Sequence, residues 1–132
     1  MTNDMDDACV LLEEAVKLVE RGWAQGTRAI DEKGISCSPR SESASAWCAL
    51  GAIEAALPLV SEDSYCRRRA FKCAWEVLHQ AIWENFQICT SITAWNDGIG
   101  RQQSEVLALF GDTIKRLRAH DKGEAACTRP IF

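Results

Sequence analysis

The chain has 132 residues and a net charge of −4, with 47% hydrophobic and 26% charged residues. A chain of this length forms one domain and buries roughly two-thirds of its unfolded surface. The acidic balance disfavours non-specific binding of nucleic acid, which needs a basic face. No stretch reaches the roughly 18 apolar residues of a membrane span. We therefore expect one globular domain over residues 1–132, with frayed ends at residues 1–5 and 121–132.

The seven cysteines are an odd number, and no Cys-x-x-Cys pair is present. Residues 1–7 are acidic and polar, the opposite of a signal peptide. Because free cysteine behaves as a small hydrophobic residue and disulfide frameworks belong to oxidising compartments, we expect reduced thiols in a cytoplasmic protein. Zinc-ligand spacing is absent and only His79 and His120 are available, so we expect no metal and no cofactor.

The first predicted element is a helix over residues 6–21. Apolar residues recur at helical spacing from Ala8 to Val19, and Gly22 is the expected C-terminal stop. The next stretch predicts a short hairpin of residues 24–30 and 35–38, joined by the four-residue turn 31–34.

Residues 44–57 predict a second helix, rich in alanine and capped by Ser43. Gly51 inside this helix costs about 1 kcal/mol relative to alanine. We therefore expect another backbone to approach the helix at that glycine. Pro58 is expected to end the helix or to begin the next connector.

A third, long helix is predicted from Ser61 or Asp63 to Asn85, followed by a brief strand or extended return over residues 89–94. The last helix is predicted over residues 102–120. These patterns indicate an α+β fold that is mostly helical, with about four helices and one small β-hairpin. The last helix carries an apolar stripe formed by Val106, Leu109, Phe110, Ile114 and Leu117.

Residues 95–101, Trp-Asn-Asp-Gly-Ile-Gly-Arg, are either a helix entrance or the rim of a site. Glycine permits backbone angles that other residues resist, and Asn and Asp hold tight turns. We favour a structural role in which Trp95 fills the core while Asn96 and Asp97 tie the return segment to the last helix. A local ion pair or hydrogen bond between Asp97 and Arg101 would fix the loop; the alternative is that both grip a ligand's amide or carboxylate.

Three sequence pieces occur in order: Gly22-Trp23-x-Gln25-Gly26, Trp47-Cys48-Ala49-x-Gly51-Ala52, and Trp95-Asn96-Asp97 with Gly100-Arg101. Together they resemble a family of small bacterial and phage proteins with a domain of unknown function, over roughly residues 8–118. The family pattern has threonine after the arginine and glutamate three residues later, which is a capping box. Gln102 and Glu105 hold these positions here, so we expect a weaker cap. The resemblance implies a recurring fold and no reaction.

Cys48 is the best candidate nucleophile, because the start of a helix lowers the pKa of a thiol. His79 would be the base, and Asn96 or Asp97 would orient it, which makes a cysteine-dependent hydrolase or amidase. The residues around Cys48 are not a papain-type signature. We favour the alternative in which Cys48 is a small buried residue and His79 an ordinary helix residue.

Trp23, Trp47 and Trp95 each adjoin one of the three sequence pieces. They either form the core or line a pocket for a small ligand. Trp75 and Trp83 share a face of the long helix, where nearby cationic residues make a patch suited to a protein partner. The run from Arg67 to Arg69 is either a solvated face or a grip for an acidic protein or phosphates.

The leading hypothesis is a small cytoplasmic protein-binding or modulator protein, carried by a phage or mobile element. The expected partner is a protein, with a homo-oligomer also open, and neither a membrane nor nucleic acid is expected. The hydrolase and the small-ligand pocket are the alternatives. The residues expected to bind are Trp23, Trp47, Trp95, Asn96, Asp97 and Arg101.

Overall fold

The computed structural model describes residues 4–121. Within them the elements follow in the order α1 (Asp4–Arg21), β1 (Ala29–Ile30), β2 (Ala46–Trp47), α2 (Ala49–Val60), α3 (Ser64–Phe86), α4 (Ile92–Asn96) and α5 (Gln103–Asp121). This confirms the mostly helical α+β class, with four long helices and one small antiparallel sheet. Of the ends predicted to fray, residues 1–3 and 122–132 lie outside the described residues. In the described part, every helix is too short or too polar to cross a membrane.

Helix α1 is the central element and packs against α2, α3 and α5. At the surface, Asp4 pairs with Arg69 of α3, and Glu13 pairs with Arg118 of α5. Gly22 follows the last helical residue, as predicted, and a Cβ on it would lie 2.4 Å from the Ser45 carbonyl oxygen. The apolar face of α1 is buried at the spacing read from the sequence, through Ala8, Leu11, Leu12, Ala15 and Val19.

The turn predicted at residues 31–34 is present. The Asp31 carboxylate accepts hydrogen bonds from the backbone N–H groups of Lys33 and Ile35, at 2.8 and 2.9 Å. Gly34 has a φ of +80°, a conformation that glycine adopts at little cost. The local chemistry of this turn was therefore readable from the sequence.

The strand that pairs with β1 is not the one predicted. Residues 35–38 contribute a single bridge, between Ile30 and Ser36. Strand β1 instead pairs antiparallel with β2, with Ala29 opposite Trp47 and Ile30 opposite Ala46. The predicted pairing of residues 24–30 with residues 35–38 is therefore wrong. Strand β1 forms its two-residue antiparallel pair with β2, a segment farther along the chain.

Helix α2 begins after Cys48, later than the predicted start at residue 44. The Trp47 N–H donates to the Gly22 carbonyl at 3.1 Å, and this non-local bond holds residues 46–47 extended against the helix propensity of alanine. The capping residue is Cys48 and not Ser43. Its Sγ accepts a hydrogen bond from the Gly51 N–H at 3.2 Å.

Pro58 lies inside α2, which continues to Val60, so the prediction that it ends the helix is wrong. A proline has no N–H for the carbonyl four residues earlier, which is that of Glu54. Arg40 Nε donates to this carbonyl at 3.2 Å. The orphaned acceptor is thereby satisfied, and the Arg40 side chain is anchored on α2.

Residues 92–96 form the short helix α4, not the strand or extended return predicted over residues 89–94. Ser91 caps it, because its Oγ accepts a hydrogen bond from the Ala94 N–H at 3.0 Å. The final turn of α4 buries Trp95 and Asn96. Helix α5 then buries the predicted stripe, with Val106, Leu109, Phe110 and Leu117 in the core and Ile114 partly buried against it.

Candidate functional site

Asn96 ends α4 and has a relative exposure of 0%. Its Oδ1 accepts hydrogen bonds from Trp23 Nε1 at 2.8 Å and from the Ala49 N–H at 2.9 Å. Its Nδ2 donates to the Ala24 carbonyl and to Asp97 Oδ1, each at 3.0 Å. Both donors and the acceptor of this amide are therefore used, and they join the loop after α1 to the start of α2.

Asp97 and Gln25 extend this network. The Gly26 N–H donates to Asp97 Oδ1 at 2.9 Å, and Gln25 Nε2 donates to the carbonyls of Asn96 and Gly98 at 3.0 and 3.2 Å. Asn96 and Asp97 thus tie α4 to the loop after α1, and not to the last helix as predicted. We call this set the Asn96 corner: Trp23, Gln25, Gly26, Ala49, Asn96 and Asp97.

Arg101 has partners other than Asp97, contrary to the predicted local pair. Its Nε donates to the Trp95 carbonyl at 2.9 Å, and its Nη1 lies 3.5 Å from the Glu105 carboxylate. Its guanidinium carbon lies 4.1 Å from the centre of the Trp95 ring and 5.0 Å from that of Phe86. Trp95 fills the core as predicted, with a relative exposure of 1%. The Arg101 guanidinium therefore packs over the buried ring of Trp95 and the partly buried ring of Phe86.

Cys48 lacks the features of an activated nucleophile. It has a relative exposure of 1%, and its Sγ accepts the N–H of Gly51. Burial raises the pKa of the Cys48 thiol and outweighs the lowering by the amides of Gly51 and Leu50. The expected lowering by the helix start is therefore wrong, because burial penalises the thiolate more.

His79, the proposed base, is held by a different part of the chain. Its Nε2 lies 2.7 Å from the Thr90 carbonyl oxygen, and its ring stacks on Trp75 with the centres 5.0 Å apart. These contacts fix the connector between α3 and α4. Among the side chains that the structure describes, no group of three or more His, Cys, Asp or Glu is arranged to hold a metal ion.

The remaining predicted binding residues divide by exposure. Trp47 is 4% exposed, and its Nε1 donates to the Pro39 carbonyl at 3.0 Å. Trp23, Asp97 and Arg101 are only partly buried. Because Trp47, Trp95 and Asn96 are buried, their roles are structural. A ligand could contact only the partly buried members of the predicted binding set.

A second polar cluster, which the sequence did not predict, lies between α2 and the start of α3. Its four arginines and one glutamate give the lining a formal charge of +3, although the whole chain carries −4. Leucine and phenylalanine side chains supply its apolar part. We call it the arginine groove; it has a volume of about 480 Å³ and is lined by Arg28, Arg40, Leu50, Glu54, Leu57, Ser64, Arg67, Arg68 and Phe71.

Gly51 brings Arg28 to the groove. A Cβ on Gly51 would lie 2.0 Å from the Arg28 carbonyl oxygen, so the backbone of Arg28 rests directly on α2. This confirms the close approach predicted from the glycine. The Arg28 side chain then pairs with Glu54, with Nη1 2.5 Å from Oε1.

The start of α3 supplies the other two cations. Asp63 caps this helix by accepting the Tyr65 N–H at 2.8 Å, and Arg67 Nε donates to the Ser61 carbonyl. Arg68 is exposed, and among residues 4–121 it has no hydrogen-bond or ion-pair partner. Arg40 and Arg67 donate only to backbone carbonyls, so Arg28 alone of the four groove arginines pairs with a described carboxylate, and Arg68 is the one with no described polar partner.

The groove continues into one face of α3. Arg68, Lys72, Trp75, His79 and Trp83 recur every three or four residues, which places them on the same side of a helix. Trp75 is 40% exposed and Trp83 37% exposed. We call these five residues the α3 face; it is basic near the groove and aromatic farther along.

Part of the groove has a signal in the sequence. The run from Arg67 to Arg69 supplies two of its arginines, whereas Arg69 turns away to pair with Asp4. Arg28 and Arg40 come from segments before α2, and their signals were indirect. Gly51 marked the backbone approach that delivers Arg28, and Pro58 marked the orphaned carbonyl that holds Arg40.

The model of a family of unknown function, DUF6197, matches residues 4–116. Because the match covers most of the 132 residues, the chain belongs to this family. No curated protein and no solved structure matches the chain.

Proposed function

We propose that this domain binds proteins, and that the arginine groove takes an acidic segment of the partner. The observation that carries the proposal is a lining of four arginines against one glutamate, beside apolar side chains, in a chain of net charge −4. A local positive field of this kind is not a consequence of composition. It depends on three separate segments meeting at the same place.

The chemistry of the groove fits carboxylates linked to apolar groups. A guanidinium presents a planar fork that pairs with a carboxylate through two hydrogen bonds. Leu50, Leu57 and Phe71 offer a surface for an aliphatic or aromatic side chain. A peptide that alternates acidic and apolar residues satisfies both requirements, whereas a bare phosphate would leave the apolar part unused.

The α3 face supports a macromolecular partner. Tryptophan and arginine are enriched where proteins bind each other, and here exposed Trp75 and Trp83 follow Arg68 on one helical face. A partner seated in the groove would reach Lys72 and Trp75 next. We propose a bacterial or phage origin on the strength of the resemblance described above, with the domain acting as a phage-borne or mobile-element modulator of a host protein. The cytoplasm is proposed as its compartment because the seven cysteines are an odd number and residues 1–7 are acidic and polar.

The proposal is tested with a short fluorescent peptide of alternating glutamate and leucine, measured by anisotropy. The same peptide with glutamine in place of glutamate is the ligand control. We expect Arg68→Glu to weaken binding of the acidic peptide tenfold or more, about 1.4 kcal/mol, and added salt to weaken binding by the native protein.

Lys115→Glu is the matched protein control. Lys115 is exposed on α5, outside the groove lining, and its substitution changes the net charge by the same amount. It should leave the affinity nearly unchanged. Equal binding of the glutamine peptide, or equal losses from both variants, would refute the proposal. Competition by phosphoserine but not by free glutamate would assign the groove to phosphate instead.

Trp75→Ser tests whether the binding interface extends from the arginine groove onto the α3 face. If the partner runs along α3, a peptide long enough to extend beyond the groove should lose about threefold to tenfold in affinity. A peptide short enough to stay in the groove should bind unchanged. Unchanged binding of the longer peptide would confine the interface to the groove.

A further inference from the structure

We infer that Glu54 is an internal competitor in the arginine groove, occupying in the free domain the position that a partner carboxylate takes when bound. This inference rests on the proposed function and assigns a specific role to one residue of the same site. Glu54 is the single acidic side chain among the nine that line the groove.

The contacts of Glu54 divide into two independent parts. Its carboxylate pairs with Arg28, with 2.5 Å between Nη1 and Oε1. Its backbone carbonyl accepts the Arg40 Nε hydrogen bond, because Pro58 leaves that carbonyl without a helical donor. Changing the side chain therefore alters the hold on Arg28 and leaves the anchor of Arg40 in place.

The Glu54 carboxylate lies where a partner carboxylate would compete with it for Arg28. Leu50, Glu54 and Leu57 are four and three residues apart on α2, so they share the helix face that lines the groove. The acidic group thus projects between the two apolar contacts that a partner segment would use. A partner carboxylate that pairs with Arg28 through Nη1 takes the place of Glu54.

The ion pair is suited to being displaced. The side chains of Arg28 and Glu54 are 55% and 29% exposed, and pairs exposed to this extent contribute little to stability because water competes for both ions. A partner carboxylate delivered together with apolar contacts exchanges one ion pair for another. Glu54 therefore sets how acidic a segment has to be before it binds.

The test is Glu54→Gln, which keeps the size of the side chain and its backbone carbonyl while removing its charge. The formal charge of the lining rises from +3 to +4. We expect affinity for the glutamate–leucine peptide to rise about threefold to tenfold. Thermal unfolding of each variant verifies that the fold is intact at the binding temperature.

A double-mutant cycle with Arg28→Gln identifies the cause. If the increase in peptide affinity comes from releasing Arg28, Glu54→Gln should raise the affinity strongly in the native background and only slightly in the Arg28→Gln background. An equal gain in the Arg28→Gln background would mean general charge repulsion and would overturn the inference. Unchanged or weaker binding by Glu54→Gln would overturn it as well, since Glu54 would then only position Arg28.

The two proposals fail in different ways. Loss of binding in Arg68→Glu with no gain in Glu54→Gln rejects the competitor role and retains the acidic partner. Insensitivity to Arg68→Glu rejects the groove as the binding site, and the competitor role is rejected with it.

Discussion

The Asn96 corner and the arginine groove are both polar clusters assembled around α2 from segments far apart in sequence. They differ in how many of their polar groups have a hydrogen-bond or ion-pair partner within the protein. In the corner, each polar atom of the Asn96 amide has its partner, and the side chain has no exposed surface. In the groove, four cations face one carboxylate, and Arg68 is exposed. A polar network that closes on itself specifies the fold, whereas one left short of partners at the surface is available to bind.

The two regions are joined by the first turn of α2. The Cys48 N–H donates to the Arg28 carbonyl at 3.0 Å, and the next residue, Ala49, donates to Asn96 at 2.9 Å. One side of this turn therefore anchors the corner, and the other side fixes the backbone that presents Arg28 to the groove. Substitutions on either side separate the structural role from the binding role.

Asn96→Ala should have the largest effect on stability. It leaves the Trp23 indole N–H, the Ala49 N–H and the Ala24 carbonyl without their partner. We expect a loss of about 3–5 kcal/mol in the free energy of unfolding, because buried polar groups without hydrogen bonds are costly. Urea denaturation followed by tryptophan fluorescence measures this loss.

Asp97→Asn is the control for that prediction. It keeps an oxygen for the Gly26 N–H and for Asn96 Nδ2, so we expect a change below about 1 kcal/mol. Peptide affinity should be unchanged in both variants at temperatures where they are folded. A small loss for Asn96→Ala, or equal losses for the two variants, would mean that the corner does not hold the fold as described.

Gly51→Ala should come next and should affect both regions. The added Cβ would lie 2.0 Å from the Arg28 carbonyl oxygen, so β1 or α2 must move. We expect a loss of about 2–3 kcal/mol in stability from overpacking, with weaker binding of the acidic peptide because Arg28 is displaced. Thermal denaturation and anisotropy measure the two effects in one preparation.

Gly111→Ala is the matched control for Gly51→Ala. Gly111 is an exposed helical glycine on α5, and its Cβ would meet nothing within 4 Å. The same substitution there should stabilise the protein by about 0.5–1 kcal/mol, because alanine is the better helix former. Similar responses at both positions would show that the approach of Arg28 to α2 is not what requires the glycine.

These contrasts explain which parts of the structure the sequence predicted. Helices α1, α3 and α5 have long apolar periodicities, so their extents were close to those observed. Strand β2 has two residues and no period of its own. It is extended because the Trp47 N–H donates to the Gly22 carbonyl and the Trp47 carbonyl accepts the Ala24 N–H, and only the folded chain brings these segments near each other. The mistaken start of α2 and the mistaken hairpin partner share this cause.

In the candidate site, too, the features set by single side chains were predicted and those set by contacts between distant segments were not. Trp95 was predicted to fill the core and Gly51 to meet another backbone, because both expectations follow from the side chain itself. The groove was missed because Arg28, Arg40 and Arg68 are ordinary surface residues in sequence. Their convergence depends on the continuation of α2 past Pro58 and on the placement of β1, and neither is determined by the residues nearby in sequence.

Gln102→Thr should have the smallest effect and tests the departure from the family pattern. One half of the capping box is present, since the Gln102 N–H donates to Glu105 Oε1 at 2.8 Å. A threonine hydroxyl would accept the Glu105 N–H and complete the reciprocal pair, which should stabilise the protein by about 0.5–1 kcal/mol. Gln102→Ala is the control and should give no such gain. Because α5 lies away from the groove, peptide affinity should stay constant while the midpoint of denaturation rises; a gain shared by the alanine variant would assign the effect to removal of glutamine and not to the cap.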